Sequence, residues 1–233
     1  MSYWYFIVEG RTEEEFIKEI LKPFLETKQI FVQGIEQVIT GKTHTGKYCK
    51  GGGNNYEYYK NHLLKRMKQF KKRDDLYFTT MIDLYALPKT FPSYETYIDE
   101  KDKYKKVDAL EKAFKNDIKQ NNFIPYIQLH EFETLLFSDL NKFKEYYIDE
   151  DNIDRKVLAL KSDVKEYDNI ELINESESTA PSKRIEKVFS QYCREKATVG
   201  LYVALEIGLD KMRKECKHFN EWIKKIENLT QKT

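Results

Sequence analysis

Tyr3, Trp4, Tyr5, Phe6, Ile7 and Val8 form an unbroken apolar and aromatic run that stops abruptly at Glu9 and Gly10. A run without polar alternation predicts a strand buried on both faces, as in a parallel sheet covered by helices. Beyond it, Thr12 and Glu15 stand at capping-box spacing, and Phe16, Ile17, Ile20, Leu21 and Phe24 fall on one helical stripe. The chain therefore opens as strand, loop and helix.

The alternation continues. Residues 30–40 predict a second strand, and Tyr56, Tyr59, Leu63, Met67 and Phe70 mark the buried face of a helix over 56–73. A third buried strand is expected at 76–82, a helix over 103–118, and a fourth strand from Phe123 to Leu129 that runs into His130, Glu131, Phe132 and Glu133. This order argues for an α/β fold with a mainly parallel sheet, flanking helices and right-handed crossovers. Residues 1–137 are assigned to that core. Residues 138–233 read differently: a charged helical stretch at 139–168, a polar segment from Asn174 to Pro181, and helices near 182–194, 196–208 and 218–229. They are assigned to a helical C-terminal region packed on the core.

Forty basic against thirty-nine acidic residues leave a formal charge of +1. No global field draws such a chain to DNA or an anionic membrane, so nucleic-acid contacts must come from local patches such as the lysines of helix 56–73. Cys49, Cys193 and Cys216 are too few and too scattered for a disulfide framework or a structural zinc site, which suits a reducing cytoplasm. The N-terminus lacks the pattern of a signal peptide, and no run approaches the ~20 apolar residues that span a bilayer. A cytoplasmic, soluble protein is expected.

In an open α/β sheet, ligands sit beyond the carboxyl ends of the strands. Glu9, Asp83 and Glu131 each end an expected strand. Carboxylates placed there suit Mg²⁺ or Mn²⁺, hard ions that take one or two protein carboxylates and complete their shell with water and substrate phosphate. Such an ion polarises a phosphoryl oxygen and activates water. Glu9 and Asp83 are the primary candidates, with Glu13, Glu131 and Glu133 as ligands of a second ion. Lys183 and Arg184 follow Pro181 at a helix start, where a phosphate is well received. His130 is the general acid or base to weigh against a structural imidazole. Gly41, Gly46 and Lys47 stand at nucleotide-loop spacing, but Tyr48 takes the place of the Mg²⁺-binding hydroxyl and three glycines follow instead of a helix. Residues 41–55, with five glycines, are read as a mobile loop without nucleotide chemistry.

Val8-Glu9-Gly10-Arg11-Thr12-Glu13 resembles the first motif of Toprim domains, and Met81-Ile82-Asp83 stands where their aspartate motif falls. With Leu84 to Pro88, Leu129 to Phe137, Pro181 to Arg184 and Cys216 to Phe219, the set is similar to a prokaryotic family carrying a Toprim-related domain of unknown function. The resemblance implies a Toprim fold of the kind found in topoisomerases, primases and overcoming-lysogenization-defect nucleases, often encoded beside an ATPase in phage-defence or mobile loci. It also favours Lys183 or Arg184 as the cation that neutralises the scissile phosphate. One departure stands out: Toprim domains carry two aspartates one residue apart, and here Leu84 and Tyr85 follow Asp83. Two readings stay open. The first is a metal-dependent nuclease with Glu9, Asp83, Glu131 and Lys183 as catalytic groups, acting on DNA ahead of RNA and working with an ATPase partner. The second is a non-catalytic Toprim-fold binding module of such a complex.

Overall fold

The N-terminal apolar run becomes a strand because each of its side chains finds a packed partner, with Trp4, Phe6 and Val8 fully enclosed. The structure, a computed structural model, describes residues 1–42, 48–50, 55–174 and 176–230. Its strands are β1 (Ser2–Val8), β2 (Ile30–Gln37), β3 (Ile39–Lys42), β4 (Tyr48–Lys50), β5 (Leu76–Asp83), β6 (Phe123–Ile124) and β7 (Ile127–Gln128). The main sheet is parallel in every pairing, in the order β2-β1-β5-β6, with β7 also on β5. Helices α1 (Arg11–Phe16), α2 (Lys22–Glu26), α3 (Tyr56–Gln69), α4 (Tyr94–Tyr97) and α5 (Lys103–Ile118) lie between the strands in the chain. This is the mainly parallel sheet with flanking helices that the alternation predicted.

Several boundaries differ, each for a local reason. The first helix starts at Gly10, whose N–H donates to the Glu13 carboxylate at 2.9 Å, so the cap lies ahead of the expected Thr12 and Glu15. A π-turn over Ile17–Leu21 joins α1 to α2, and the Lys22 N–H reaches back to the Ile17 carbonyl. Pro23 follows directly, and the widened turn accommodates a ring that would clash with a regular preceding turn. The expected strand at 30–40 divides at Val38 into β2 and β3. β3 pairs antiparallel with β4, so the segment read as a loop contributes the end of β3 and all of β4; its residues 43–47, within the glycine-lysine motif, and 51–54 lie outside the described residues. α3 ends at Gln69, and Phe70 leaves the helix to lie 5.7 Å from the Tyr5 ring.

The fourth strand is cut in two at Pro125, which has no N–H to give a ladder. Side chains bridge the gap: the Thr80 hydroxyl bonds both the N–H and the carbonyl of Tyr126, each at 3.0 Å. The buried carboxylate of Glu111 takes the Ile127 N–H at 2.9 Å.

The chain divides into two compact units, Met1–Gln128 with Lys224–Thr233 and Leu129–Ile223, where the sequence had suggested a division at 137/138. The second unit is helical. Phe132–Lys142 is a 3₁₀ segment broken at Asp139, followed by α6 (Phe143–Tyr146), α7 (Ile153–Asp163), α8 (Pro181–Val188), α9 (Tyr192–Ile207) and α10 (Leu209–Glu215). α11 (Lys217–Thr230) begins in this unit. The single charged stretch expected at 139–168 is thus two separate helices. The break expected near residue 195 is absent, because α9 runs through it. Phe143, Tyr147, Phe189 and Tyr192 form its aromatic centre, with the Tyr147 and Phe189 rings stacked at 4.5 Å. Among the described residues no helix is long and apolar enough to cross a membrane.

Candidate functional site

β1 is the strand at which the sheet reverses its direction of growth: β2 is added on one side and β5 on the other. In parallel sheets the crevice at such a point receives ligands, since the loops leaving the two strands diverge there. The pairing of Val8 with Met81, continued by the Glu9 N–H to the Met81 carbonyl at 3.1 Å, brings the carboxyl ends of β1 and β5 level. Glu9 and Asp83 occupy those ends, both half-buried. The Asp83 backbone N–H donates to the Glu9 carboxylate at 3.0 Å, so one side chain is oriented by the backbone that carries the other.

This pair has the chemistry of a hard-cation site: two carboxylates from rigid strand ends, partly open to solvent. Among the described residues no three His, Cys, Asp or Glu side chains are arranged to hold an ion together. An ion on Glu9 and Asp83 would take the rest of its shell from water or substrate oxygens, which Mg²⁺ and Mn²⁺ do readily. Glu13, expected as a further ligand, is buried and accepts the Gly10 N–H. That bond shapes the turn directly after Glu9.

Glu131, Glu133 and Lys183 belong to the second unit. Glu131 accepts the Ser182 N–H at 2.9 Å, on the first turn of α8. Burial, and then the charge of Glu133, raise its carboxyl above the ordinary carboxylate value in spite of that bond. Glu133 is buried, accepts the Tyr192 hydroxyl at 3.1 Å and pairs with the Lys196 ammonium at 3.1 Å. Burial opposes the Lys196 charge, yet Glu133 and Glu131 outweigh it and raise its pKa. Tyr192, wholly enclosed, is held protonated by burial and by Glu133. Lys183 is exposed and pairs with Glu186 at 2.7 Å. Arg184 is buried in structural bonds, to the Thr179 carbonyl at 2.9 Å and to Asp163. Between the two basic residues of that motif, Lys183 is the one presented to solvent. His130 is buried in a left-handed backbone conformation, its ring 3.5 Å from the Asn174 amide.

Lys196 and Tyr192 were not foreseen. Four residues apart on one helix, they share a face, but the sequence reading broke the helix between them.

The profile of one family, described as "Domain of unknown function (DUF4276)", matches residues 8–227. No curated protein matches the chain. Two solved structures of the C-terminal region of the Xanthomonas campestris pv. campestris OLD protein are similar in architecture. The one phased with iodine is 15% identical, with 100% of this chain and 99% of that chain covered at a TM-score of 0.40. The one phased with platinum is 12% identical, with 93% and 91% covered at a TM-score of 0.37.

Proposed function

The chain belongs to the family described as Domain of unknown function (DUF4276), and we propose that it is a Toprim-type nuclease that uses Mg²⁺ or Mn²⁺ to cleave nucleic-acid phosphodiesters, DNA in preference to RNA. The observation that carries the proposal is the bond from the Asp83 N–H to the Glu9 carboxylate where the sheet reverses direction. It ties the Glu9 carboxylate to the backbone of the strand end that carries Asp83.

Glu9 and Asp83 would hold the ion. When bound, it supplies Lewis acidity toward a phosphoryl oxygen and a water of lowered pKa. The backbone bond to Glu9 fixes one carboxylate before substrate arrives, so little reorganisation accompanies binding. Glu13 keeps the turn after Glu9 in shape. Glu131, Glu133 and the exposed Lys183 belong to the second unit, and point substitution reads the part of each in cleavage separately. The motif resemblance to the overcoming-lysogenization-defect nucleases supports a cytoplasmic protein acting with an ATPase partner in phage defence or on mobile elements.

The test is metal binding by calorimetry alongside cleavage of supercoiled plasmid, single-stranded DNA and RNA with Mn²⁺ or Mg²⁺. Wild type binds and cleaves, while Glu9→Gln and Asp83→Asn lose both. Nucleic-acid binding without cleavage under any metal would replace this reading with a binding module of the same fold.

A further inference from the structure

One cavity of the first unit lies away from the carboxylate pair. It has a volume of ≈ 630 Å³ and is lined by residues of two segments, Leu64 to Asp74 and Lys119 to Asn122. These are the connections that lead from α3 into β5 and from α5 into β6. Because β5 and β6 are parallel neighbours, paired through Phe78 and Phe123, their incoming connections lie side by side at the amino ends of the strands. Asn122 ties the two together, its side chain donating to the Leu76 carbonyl at 2.9 Å and its own carbonyl accepting the Phe78 N–H at 2.8 Å. β5 has eight residues, so the cavity lies at the other end of a strand about 25 Å long from Asp83.

Its lining joins two chemistries. Leu64, Met67 and Phe70 supply an apolar wall, and Lys68, Lys71, Arg73 and Lys119 supply cations against the single acid Asp74. Arg73 is committed, bound to Asp75 at 2.6 Å and stacked 4.5 Å over the Tyr3 ring. Lys68, Lys71 and Lys119 are exposed, and none forms a salt bridge with a described residue.

Lysines at helix ends commonly serve only to balance the helix dipole. Beside Lys119, the carbonyls that follow the helix already have their cation. The half-buried Lys115 ammonium turns inward and donates to the carbonyls of Gln120 and Asn121, at 2.7 and 2.9 Å, and to that of Phe123. Lys119 takes no part in those bonds, its charge being felt at longer range by Asp117, and it occupies a left-handed position (φ 55°) where glycine is the unstrained choice. A side chain kept at a strained position on the rim of a cavity is a reason to look for a ligand.

We propose that this cavity binds a nucleoside phosphate, either a free nucleotide or the 5′-terminal nucleotide of a strand. The phosphate sits among Lys68, Lys71 and Lys119, and the base lies on Met67 and Phe70. A volume of ≈ 630 Å³ suits a ligand of that size. The assignment is independent of metal chemistry at Glu9 and Asp83.

Calorimetry on the full chain in EDTA tests it, because metal-bridged phosphate binding is then absent. The probes are AMP, ADP, pyrophosphate, a DNA tetranucleotide with and without its 5′-phosphate, and a poly-glutamate peptide. ADP or the phosphorylated tetranucleotide binds, and whichever is tighter identifies the source. The double variant Lys71→Glu, Lys119→Glu weakens binding ~10-fold or more, the single alanine variants each weaken it in part, and Asp83→Asn leaves it unchanged. Pyrophosphate binding as tightly as ADP removes the nucleoside from the assignment. Tighter binding of poly-glutamate replaces the nucleotide with an acidic protein segment, and no binding at millimolar ligand overturns the site.

Discussion

Asp83→Asn is expected to stabilise the metal-free protein and to destabilise it, relative to wild type, when metal is present. Glu9 and Asp83 stand on adjacent strand ends, and the Asp83 N–H holds the Glu9 carboxylate at 3.0 Å. Two carboxylates on neighbouring strand ends, if on the order of 5 Å apart, repel by about 1 kcal/mol at the high effective dielectric of a half-exposed site. Asparagine keeps the shape and removes the charge. In EDTA the variant gains about 1 kcal/mol, a rise in Tm of roughly 2–4 °C for a protein of this size. Metal reverses the order. An ion with a Kd of ~0.1 mM, supplied at ~10 mM, stabilises the wild type by about 2.7 kcal/mol and the variant hardly at all. Thermal unfolding of both proteins in EDTA and in Mn²⁺ reads the crossing directly. A variant that melts below wild type in EDTA would show that the two carboxylates are not in repulsive contact. Equal metal shifts in both proteins would show that Asp83 holds no ion.

Three further substitutions probe the frame around the candidate residues. The fully buried Glu171 accepts the N–H groups of His218 and Phe219, at 2.9 and 3.1 Å, on the first turn of α11. Glu171→Ala strands two buried donors and should cost about 3–5 kcal/mol, and a loss under ~1 kcal/mol on urea unfolding would refute the cap. Glu131 has its carboxyl raised above 4.5 by burial and by Glu133. Its contribution to stability is full below the ordinary carboxylate range and is lost as pH rises through the raised folded value. Glu131→Gln keeps an acceptor for Ser182 and should gain stability relative to wild type at pH 7 compared with pH 4; a pH-independent difference contradicts the raised pKa. At Gly34 a Cβ would lie 2.5 Å from the buried Tyr5 ring. Gly34→Ala should therefore cost about 1–3 kcal/mol, read as a lower urea midpoint, whereas an unchanged midpoint would mean that the ring moves freely.

What the sequence disclosed was one-dimensional. A strand buried on both faces declares itself by an unbroken apolar run, and the charged residue that ends it declares where solvent begins, so the residue pattern alone names Glu9 and Asp83 as strand ends. Their adjacency required the pairing of β1 with β5 rather than with β6, which no local pattern encodes. The strand split at Pro125 was legible in principle, since proline has no N–H. Its repair by Thr80 and Glu111 was not, because those side chains come from other elements. The same holds for the cap on α11, supplied by Glu171 from 47 residues upstream. Lys196 went unseen for a different reason: helical spacing from Tyr192 would have found it, had the helix not been broken at that point.

Net charge concealed the rest. A value of +1 for the whole chain excludes a global field, but the fold sorts charge that the total averages away. All strands of a parallel sheet run the same way, so residues at their amino and carboxyl ends collect on opposite edges. In the first unit the departing ends of β1 and β5 carry Glu9 and Asp83, while the connections entering β5 and β6 carry Lys68, Lys71 and Lys119. A nearly neutral chain thus carries a pair of acids at one edge of its sheet and a basic cavity at the other. The acidic edge has the chemistry to recruit a cation, and the basic edge has the chemistry to recruit a phosphate without one. Substitutions at the two edges should therefore separate, with Asp83→Asn altering metal response alone and Lys71→Glu altering anion binding in EDTA alone. Coupling between them in either assay would mean that the edges do not act as independent sites.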